Sequence, residues 1–311
     1  MYLSLSRRAM YPSLLIKYQW GPRHLGKLFC DIFADIKEER LEAKHTGQKL
    51  KDKFLKIVLN SPTGKMQQEV SWMYDPFNVF KIRINGQLIL LMMVDRLLDL
   101  GCEIIQVNTD GVVYRAKKTM RDRIQEATHE VESITQLTFE SDEYEAFYQY
   151  AINDYFGVIK GWSESHDPEL IERKGMFITE TNLGKGLAPV IIPKAVINYF
   201  LYKQPVKEFI EKDRDIRDFL MSQAVDKKFK VIYGDTRVQR INRFYASTNG
   251  KYLYKKGEDK NLQNMLTKSG VTILNKFDDR EIEDRKINYR YYIGEARKII
   301  SDFTEQQLTL F

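Results

Sequence analysis

The sequence predicts an α+β fold. Helical periodicity runs through residues 25–59, 86–100 and 119–137, while residues 103–115 read as strand, tight turn, strand, the pattern of an antiparallel hairpin. The composition supports such a fold: 43% of the 311 residues are apolar and 30% are charged, with both signs mixed, as in a globular chain of about two domains.

The elements follow in chain order. Residues 1–6 alternate polar and apolar like a short strand, and Tyr11-Pro12-Ser13 breaks that pattern. Leu28, Ile32 and Ile36, then Phe54 and Val58, mark the apolar faces of two helices with a turn near Thr46-Gly47. The second helix is expected to stop near Asn60, because Pro62 drives the residue before it out of helical geometry. Gly86 to Leu100 is almost wholly apolar and predicts a buried helix, with Gly101 as the residue just past its end. Residues 103–107 and the run from Val112 are strands joined by Asn108-Thr109-Asp110-Gly111. A further strand pair is expected around 150–160 and 171–177. Beyond about residue 185 the chain reads as helical and increasingly basic, interrupted by a polar loop at 247–250 and ending in a separate tail.

Composition excludes several classes. Forty-nine Lys and Arg against 43 Asp and Glu leave a net charge of +6, which permits a polyanionic partner without demanding one. Two cysteines, Cys30 and Cys102, build neither a disulfide scaffold nor a zinc site, and four histidines make no His-rich metal tract. The longest apolar run, Leu88 to Val94, is too short to span a bilayer, and the N-terminus has no signal-peptide pattern. The expectation is a soluble cytoplasmic protein, bacterial or in an infected host cell, with no membrane partner.

Three side-chain groups carry possible chemistry. Asp110 precedes Gly111 between two apolar runs, which is a structural hairpin signal in its own right. A carboxylate at the tip of a rigid hairpin also suits Mg²⁺, which demands near-octahedral oxygen geometry and leaves other positions to substrate phosphates. Arg40 and Lys44 are four residues apart, as are Lys56 and Asn60, so each pair shares one helix face. With Glu38, Glu39, Glu42 and Asp52 nearby, these read either as a solvated charged face or as a grip on a triphosphate, Arg as a fork and Lys as a point charge.

Taken in order, these residues resemble the family B DNA-directed DNA polymerases of phage or viral type. Met10-Tyr-Pro-Ser13 resembles the end of the family's first palm motif, and Arg40-x-x-x-Lys44 the first fingers-helix pair. Lys56-Ile-Val-Leu-Asn60-Ser-Pro-Thr-Gly64 resembles the second fingers motif, and Asn108-Thr-Asp-Gly111 the metal-binding hairpin. Ile171-Glu-Arg-Lys-Gly175 resembles the downstream basic motif that touches the duplex behind the primer end. The resemblance implies a polymerase right hand: an antiparallel-sheet palm (1–12 and 66–162), helical fingers (13–65), a mainly helical thumb (163–302) and a tail (303–311). It implies that Tyr11 packs under the incoming sugar, that Arg40, Lys44 and Lys56 hold the triphosphate of a dNTP and Asn60 orients it, that Asp110 is catalytic and binds two Mg²⁺, and that Lys174 touches primer-template DNA.

The sequence departs from the family pattern in several places. The first palm motif begins with an Asp five residues before the tyrosine, and here that position is Ser6; no Asp or Glu occurs before Asp31. Two-metal phosphoryl transfer needs carboxylates from both palm strands, so one such group is missing. Asn108 stands where many relatives carry Asp, Thr63 where Tyr is common, and no exonuclease region is present. The expectation is therefore the C-terminal portion of a polymerase whose first carboxylate comes from an N-terminal polymerase/exonuclease polypeptide. The alternative is a catalytically inactive DNA-binding remnant or subunit that needs such a partner chain.

Two further segments fit this picture. Residues 226–256 hold nine basic and two acidic side chains, Arg240 and Arg243 among them, interleaved with aromatics. That imbalance suits sequence-independent tracking of DNA phosphates. The chain ends Gln307-Leu308-Thr309-Leu310-Phe311, which resembles the peptide by which bacterial replication proteins dock on a sliding clamp; Gln307, Leu308, Leu310 and Phe311 would make that contact.

Overall fold

Helices and antiparallel strands alternate irregularly along the chain and gather into two compact units in the computed structural model, which describes residues 2–6, 10–109, 111–180, 188–257, 262–266 and 269–308. The first unit comprises residues 1–146 and 158–170, the second residues 147–157 and 171–311. The division therefore falls at 170/171 with an excursion at 147–157.

In the first unit, strand β1 (Tyr2–Ser6) leads to helix α1 (Met10–Lys17), which buries Leu14 and Leu15. Helices α2 (Gly26–His45) and α3 (Lys49–Lys65) pack as an antiparallel hairpin about the expected turn. The second helix does not stop at Asn60: Pro62 lies inside it. The proline removes the N–H that would bond the carbonyl of Val58, and Ser61 Oγ donates to that carbonyl instead at 2.9 Å, so the chain stays helical.

Helix α4 (Pro76–Asp99) starts ten residues earlier than its apolar run suggests. Asp75 caps it, accepting from the Asn78 N–H, and Pro76 occupies the first turn, where its missing N–H costs nothing. The expectation of a fully buried helix is corrected. Ile82, Gly86, Ile89, Leu90, Met93 and Leu97 face the core, but Phe77, Phe80, Ile84, Leu88, Leu91 and Leu98 are each more than half exposed. A helix apolar on all sides presents two faces, and the first unit covers one. By length and composition this helix could cross a membrane, although its buried face is what a core helix shows. Close packing against α1 depends on Gly86: a Cβ there would meet Met10 Cε at 2.8 Å.

Gly101 follows α4 with φ +75°, as expected for a residue ending a helix. Strands β2 (Glu103–Val107) and β3 (Gly111–Arg115) form the expected hairpin, and α5 (Arg121–Thr135) follows. Next come β4 (Glu140–Ala151), β5 (Asp154–Ile159), the short helix α6 (Trp162–Ser165) and β6 (Ile171–Lys174). In the first unit the strand order is β2-β3-β1-β4, with β1 antiparallel to both β3 and β4. The strand expected at 150–160 is the β4–β5 pair joined at residues 152–153. Strand β4 escapes a hydrophobicity reading because most of its first half is charged or polar.

The second unit carries α7 (Ile191–Tyr202) and α8 (Val206–Lys212) against the long helix α9 (Tyr289–Leu308). Between them the expected helical run is corrected: the described residues between 221 and 273 hold seven strands. Strands β7 (Met221–Ser222), β10 (Arg243–Lys251) and β13 (Val271–Ile273) make one sheet. Strands β8 (Lys230–Tyr233), β9 (Thr236–Val238), β11 (Leu253–Lys256) and β12 (Leu262–Asn264) make another. Local alternation is part of the cause: exposed Lys230 and buried Val231 stand on opposite faces of β8, and Leu253 is buried at the start of β11. Residues 247–250, expected as a loop, lie within β10. Phe303 is buried and α9 runs to Leu308.

Candidate functional site

The first unit brings together segments far apart in sequence. Register pairs Ser6 of β1 with Gly111 of β3, so the end of the first motif lies beside the Asn108–Gly111 turn. The Asn108 N–H donates to the Gly111 carbonyl at 2.8 Å, and Asn108 Oδ1 accepts from the Thr109 N–H at 2.7 Å and from Thr109 Oγ1 at 3.1 Å, which closes the turn. Asp110 itself lies outside the described residues. On its other side Ser6 pairs with Glu140 of β4, so the sheet places a carboxylate-bearing residue directly across from the serine position. Sequence proximity could not reveal this, because the two residues meet only through strand pairing.

From β1 the chain turns into α1, where Tyr11 is half-buried against the core of the first unit and Ser13 is buried. Lys37 on α2 donates from Nζ to Ser13 Oγ at 3.1 Å, tying α2 to the start of α1. Arg40 follows Lys37 by one helical turn, and its Nε donates to Asp52 Oδ1 of α3 at 2.8 Å. The Arg40 side chain is only 16% exposed and that of Asp52 28%. Asp52, Lys56 and Asn60 stand at i, i+4 and i+8, one row along α3. The Arg40–Asp52 pair therefore joins the Arg40/Lys44 row to the Lys56/Asn60 row. Lys44 and Lys56 are exposed, while Asn60 Nδ2 turns back onto its own helix and donates to the Lys56 carbonyl at 2.9 Å. Lys37 was passed over in the sequence, and Asp52 was read there only as part of a charged face; helical spacing from Arg40 and from Lys56 was the available signal.

In the second unit, Lys174 ends β6 with its Nζ 5.5 Å from the centre of the Tyr155 ring, and the Tyr155 hydroxyl donates to Glu172 at 3.1 Å. Gly175 has φ +61°, and a Cβ there would lie 2.1 Å from the Asn153 carbonyl oxygen. The Met176 N–H donates to Asp154 Oδ1 at 2.8 Å, so the Lys174-Gly175 turn is clamped to the β4–β5 connection. Arg240 is exposed; Arg243 is half-buried in β10, where its N–H donates to Asn275 Oδ1 at 2.9 Å. The four-stranded sheet adds cations that were not singled out. Lys230 pairs directly across from Lys256, and Arg237 across from Ile232. With Lys228, Asp235 and Ile232 they line a groove of about 540 Å³. Gln307 and Leu308 fall in the last turn of α9, and Leu310 and Phe311 lie outside the described residues.

Among the described residues no group of three or more His, Cys, Asp or Glu side chains is placed to hold a metal ion. The position paired with the hairpin carries the hydroxyl of Ser6 rather than the carboxylate that Mg²⁺ favours, so the described donor set does not fit a Mg²⁺ pair.

The fold is thus a mixed helical and antiparallel-sheet chain, with a cationic helical hairpin and a strand pair gathered in its first unit. No protein-family model matches the chain, and no curated protein does. Among solved structures it is similar to the family B DNA polymerase from the hyperthermophilic archaeon Pyrobaculum calidifontis, at 16% identity and a TM-score of 0.49. That match covers 97% of this chain and 44% of the polymerase, so the chain spans less than half the length of that structure.

Proposed function

We propose that this chain is the C-terminal palm, fingers and thumb portion of a family B DNA polymerase, acting in template-directed transfer of a deoxynucleotidyl group to a primer 3′-hydroxyl during DNA replication. The observation that carries this reading is the convergence of motifs within the first unit. The Ser6–Gly111 pairing, the Lys37–Ser13 hydrogen bond and the Arg40–Asp52 ion pair link four segments that resemble polymerase motifs in order.

On this reading Arg40, Lys44 and Lys56 neutralise the triphosphate of an incoming dNTP and the pyrophosphate that leaves. Asn60 orients it, and Tyr11 underlies the sugar. Asp110 is the chain's own catalytic carboxylate at the hairpin tip. The reaction class calls for two Mg²⁺, and because Ser6 offers no carboxylate, an N-terminal polymerase/exonuclease polypeptide would complete their ligation. In the second unit Lys174, Arg240, Arg243 and the basic groove hold primer-template DNA through phosphate contacts. The C-terminal residues from Gln307 dock on a sliding clamp, adding processivity through tethering. The protein acts in the cytoplasm of a bacterium or an infected host cell.

A non-catalytic DNA-binding subunit or remnant is the competing reading, and Ser6 favours it. Magnesium-dependent primer extension separates the two. The chain alone is expected to show essentially no extension and Ser6→Asp to raise it; robust extension by the unaltered chain would overturn the claim of incompleteness. Ser6→Asp remaining inert while duplex binding persists would favour the non-catalytic subunit.

A further inference from the structure

We infer that Asp52 is a counter-ion that competes with nucleotide triphosphate for Arg40, and so sets how tightly the α2–α3 hairpin grips its ligand. This rests on the triphosphate reading of Arg40, Lys44 and Lys56 given above and adds a regulating group to that site.

Three observations support it. First, of the three cations on the two rows, Arg40 alone has a carboxylate partner among the described residues: its Nε donates to Asp52 Oδ1 at 2.8 Å. Lys44 and Lys56 are exposed and carry none. Second, the choice of partner is specific. The neighbouring acid Glu39 is engaged by Lys51 at 2.7 Å, so the carboxylate on Arg40 is that of Asp52 and not that of its own helix neighbour. Third, Asp52 occupies the same row of α3 as Lys56 and Asn60, one turn from Lys56, and so stands within the surface an anion would meet.

The consequence is a competition. A triphosphate that engages Arg40 must displace a half-buried carboxylate from the guanidinium, or bind beside it against like-charge repulsion. Either route weakens nucleotide binding relative to a site with a free arginine. It also keeps the desolvated guanidinium paired when no nucleotide is present, and an unpaired charge at that depth would be costly. Asp52→Asn keeps an oxygen acceptor for Arg40 while removing the charge.

The test is titration of the full chain with a fluorescent deoxynucleoside triphosphate, for the unaltered protein, Asp52→Asn, Arg40→Ala and the double variant. Asp52→Asn is expected to tighten binding by about threefold to tenfold, given exposed-to-half-buried pair strengths near 1 kcal/mol and tenfold per 1.4 kcal/mol. The gain should vanish in the Arg40→Ala background and shrink as ionic strength rises. A gain in affinity is not what a loosened hairpin would give. If Arg40→Ala weakens binding but Asp52→Asn leaves it unchanged, or tightens it equally without Arg40, the counter-ion role is wrong while the triphosphate site stands. If Arg40→Ala and Lys56→Ala both leave binding unaltered, the triphosphate site itself is wrong and the inference goes with it.

Discussion

Replacing Asp75 with alanine should destabilise the first unit by about 3 kcal/mol, from three interactions that end on one buried carboxylate. The side chain is 2% exposed. It accepts from the Arg23 N–H at 2.9 Å, from Arg23 Nε at 2.9 Å and from the Asn78 N–H at 3.3 Å. Loss of the helix cap accounts for about 1 kcal/mol. The Arg23 backbone N–H, left without this acceptor, adds about 1 kcal/mol or more. The ion pair contributes at most about 1 kcal/mol, because Arg23 is 65% exposed and solvent screens it. Asp75→Asn keeps an acceptor oxygen for the cap and should cost roughly half as much.

All three tryptophans, Trp20, Trp72 and Trp162, belong to the first unit, so their fluorescence during urea unfolding reports that unit selectively. Acid adds a second check. Burial pushes the Asp75 carboxyl upward, but hydrogen bonds from the Arg23 side chain, the Arg23 backbone and the Asn78 backbone outweigh it, and the net pKa lies below the ordinary 3.8. The stabilisation is therefore fully present above about pH 4 and is lost as pH falls through the lowered folded value. The difference between unaltered protein and Asp75→Ala should hold steady from neutral pH to about 5 and narrow below 4. A midpoint shift worth less than about 0.5 kcal/mol, or a difference that widens in acid, would refute the account.

Four other outcomes follow from the structure. Ser61→Ala should cost the first unit about 1 kcal/mol, seen in the same urea titration, because the Val58 carbonyl loses the donor that compensates for Pro62. Gly175→Ala should destabilise the second unit by more than about 2 kcal/mol in calorimetry, since φ is +61° and the new Cβ would strike the Asn153 carbonyl; a neutral result would mean the Lys174 turn is not clamped. Asp278→Ala should lower the melting temperature, because the Arg285 guanidinium, 2% exposed, would lose its carboxylate partner. Charge reversal at Lys230 and Lys256 should weaken duplex DNA binding and reduce its salt slope by about one unit per lost contact, read by fluorescence anisotropy across salt concentrations; unchanged slopes would exclude that sheet from the DNA surface.

Much of the first unit was legible in the sequence because its signals are local. The Thr46-Gly47 turn, Gly101 after α4 and the Asn108–Gly111 hairpin each need only a few neighbouring residues, and each stands where expected. Expectations failed where a local rule met a compensating neighbour or a distant partner that it did not include. Pro62 did not end its helix because Ser61 supplies the missing donor, and the residues after 221 form strands because alternate side chains such as Val231 and Leu253 find a shared core. The apolar face of α4 predicted burial, but burial needs something to cover it, and the first unit covers only one side.

The candidate site divides in the same way. Sequence by itself determined which cationic side chains share a helix face, in what order they stand, and that position 6 is not a carboxylate, since residue identity and helical spacing are properties of the chain alone. Only the tertiary structure decided that Arg40 is held by Asp52, that Lys37 ties α2 to Ser13, and that Ser6 lies between Gly111 and Glu140. These are pairings between residues 12 to 134 positions apart. They depend on strand register and on the packing of one helix against another, and no short-range pattern encodes either.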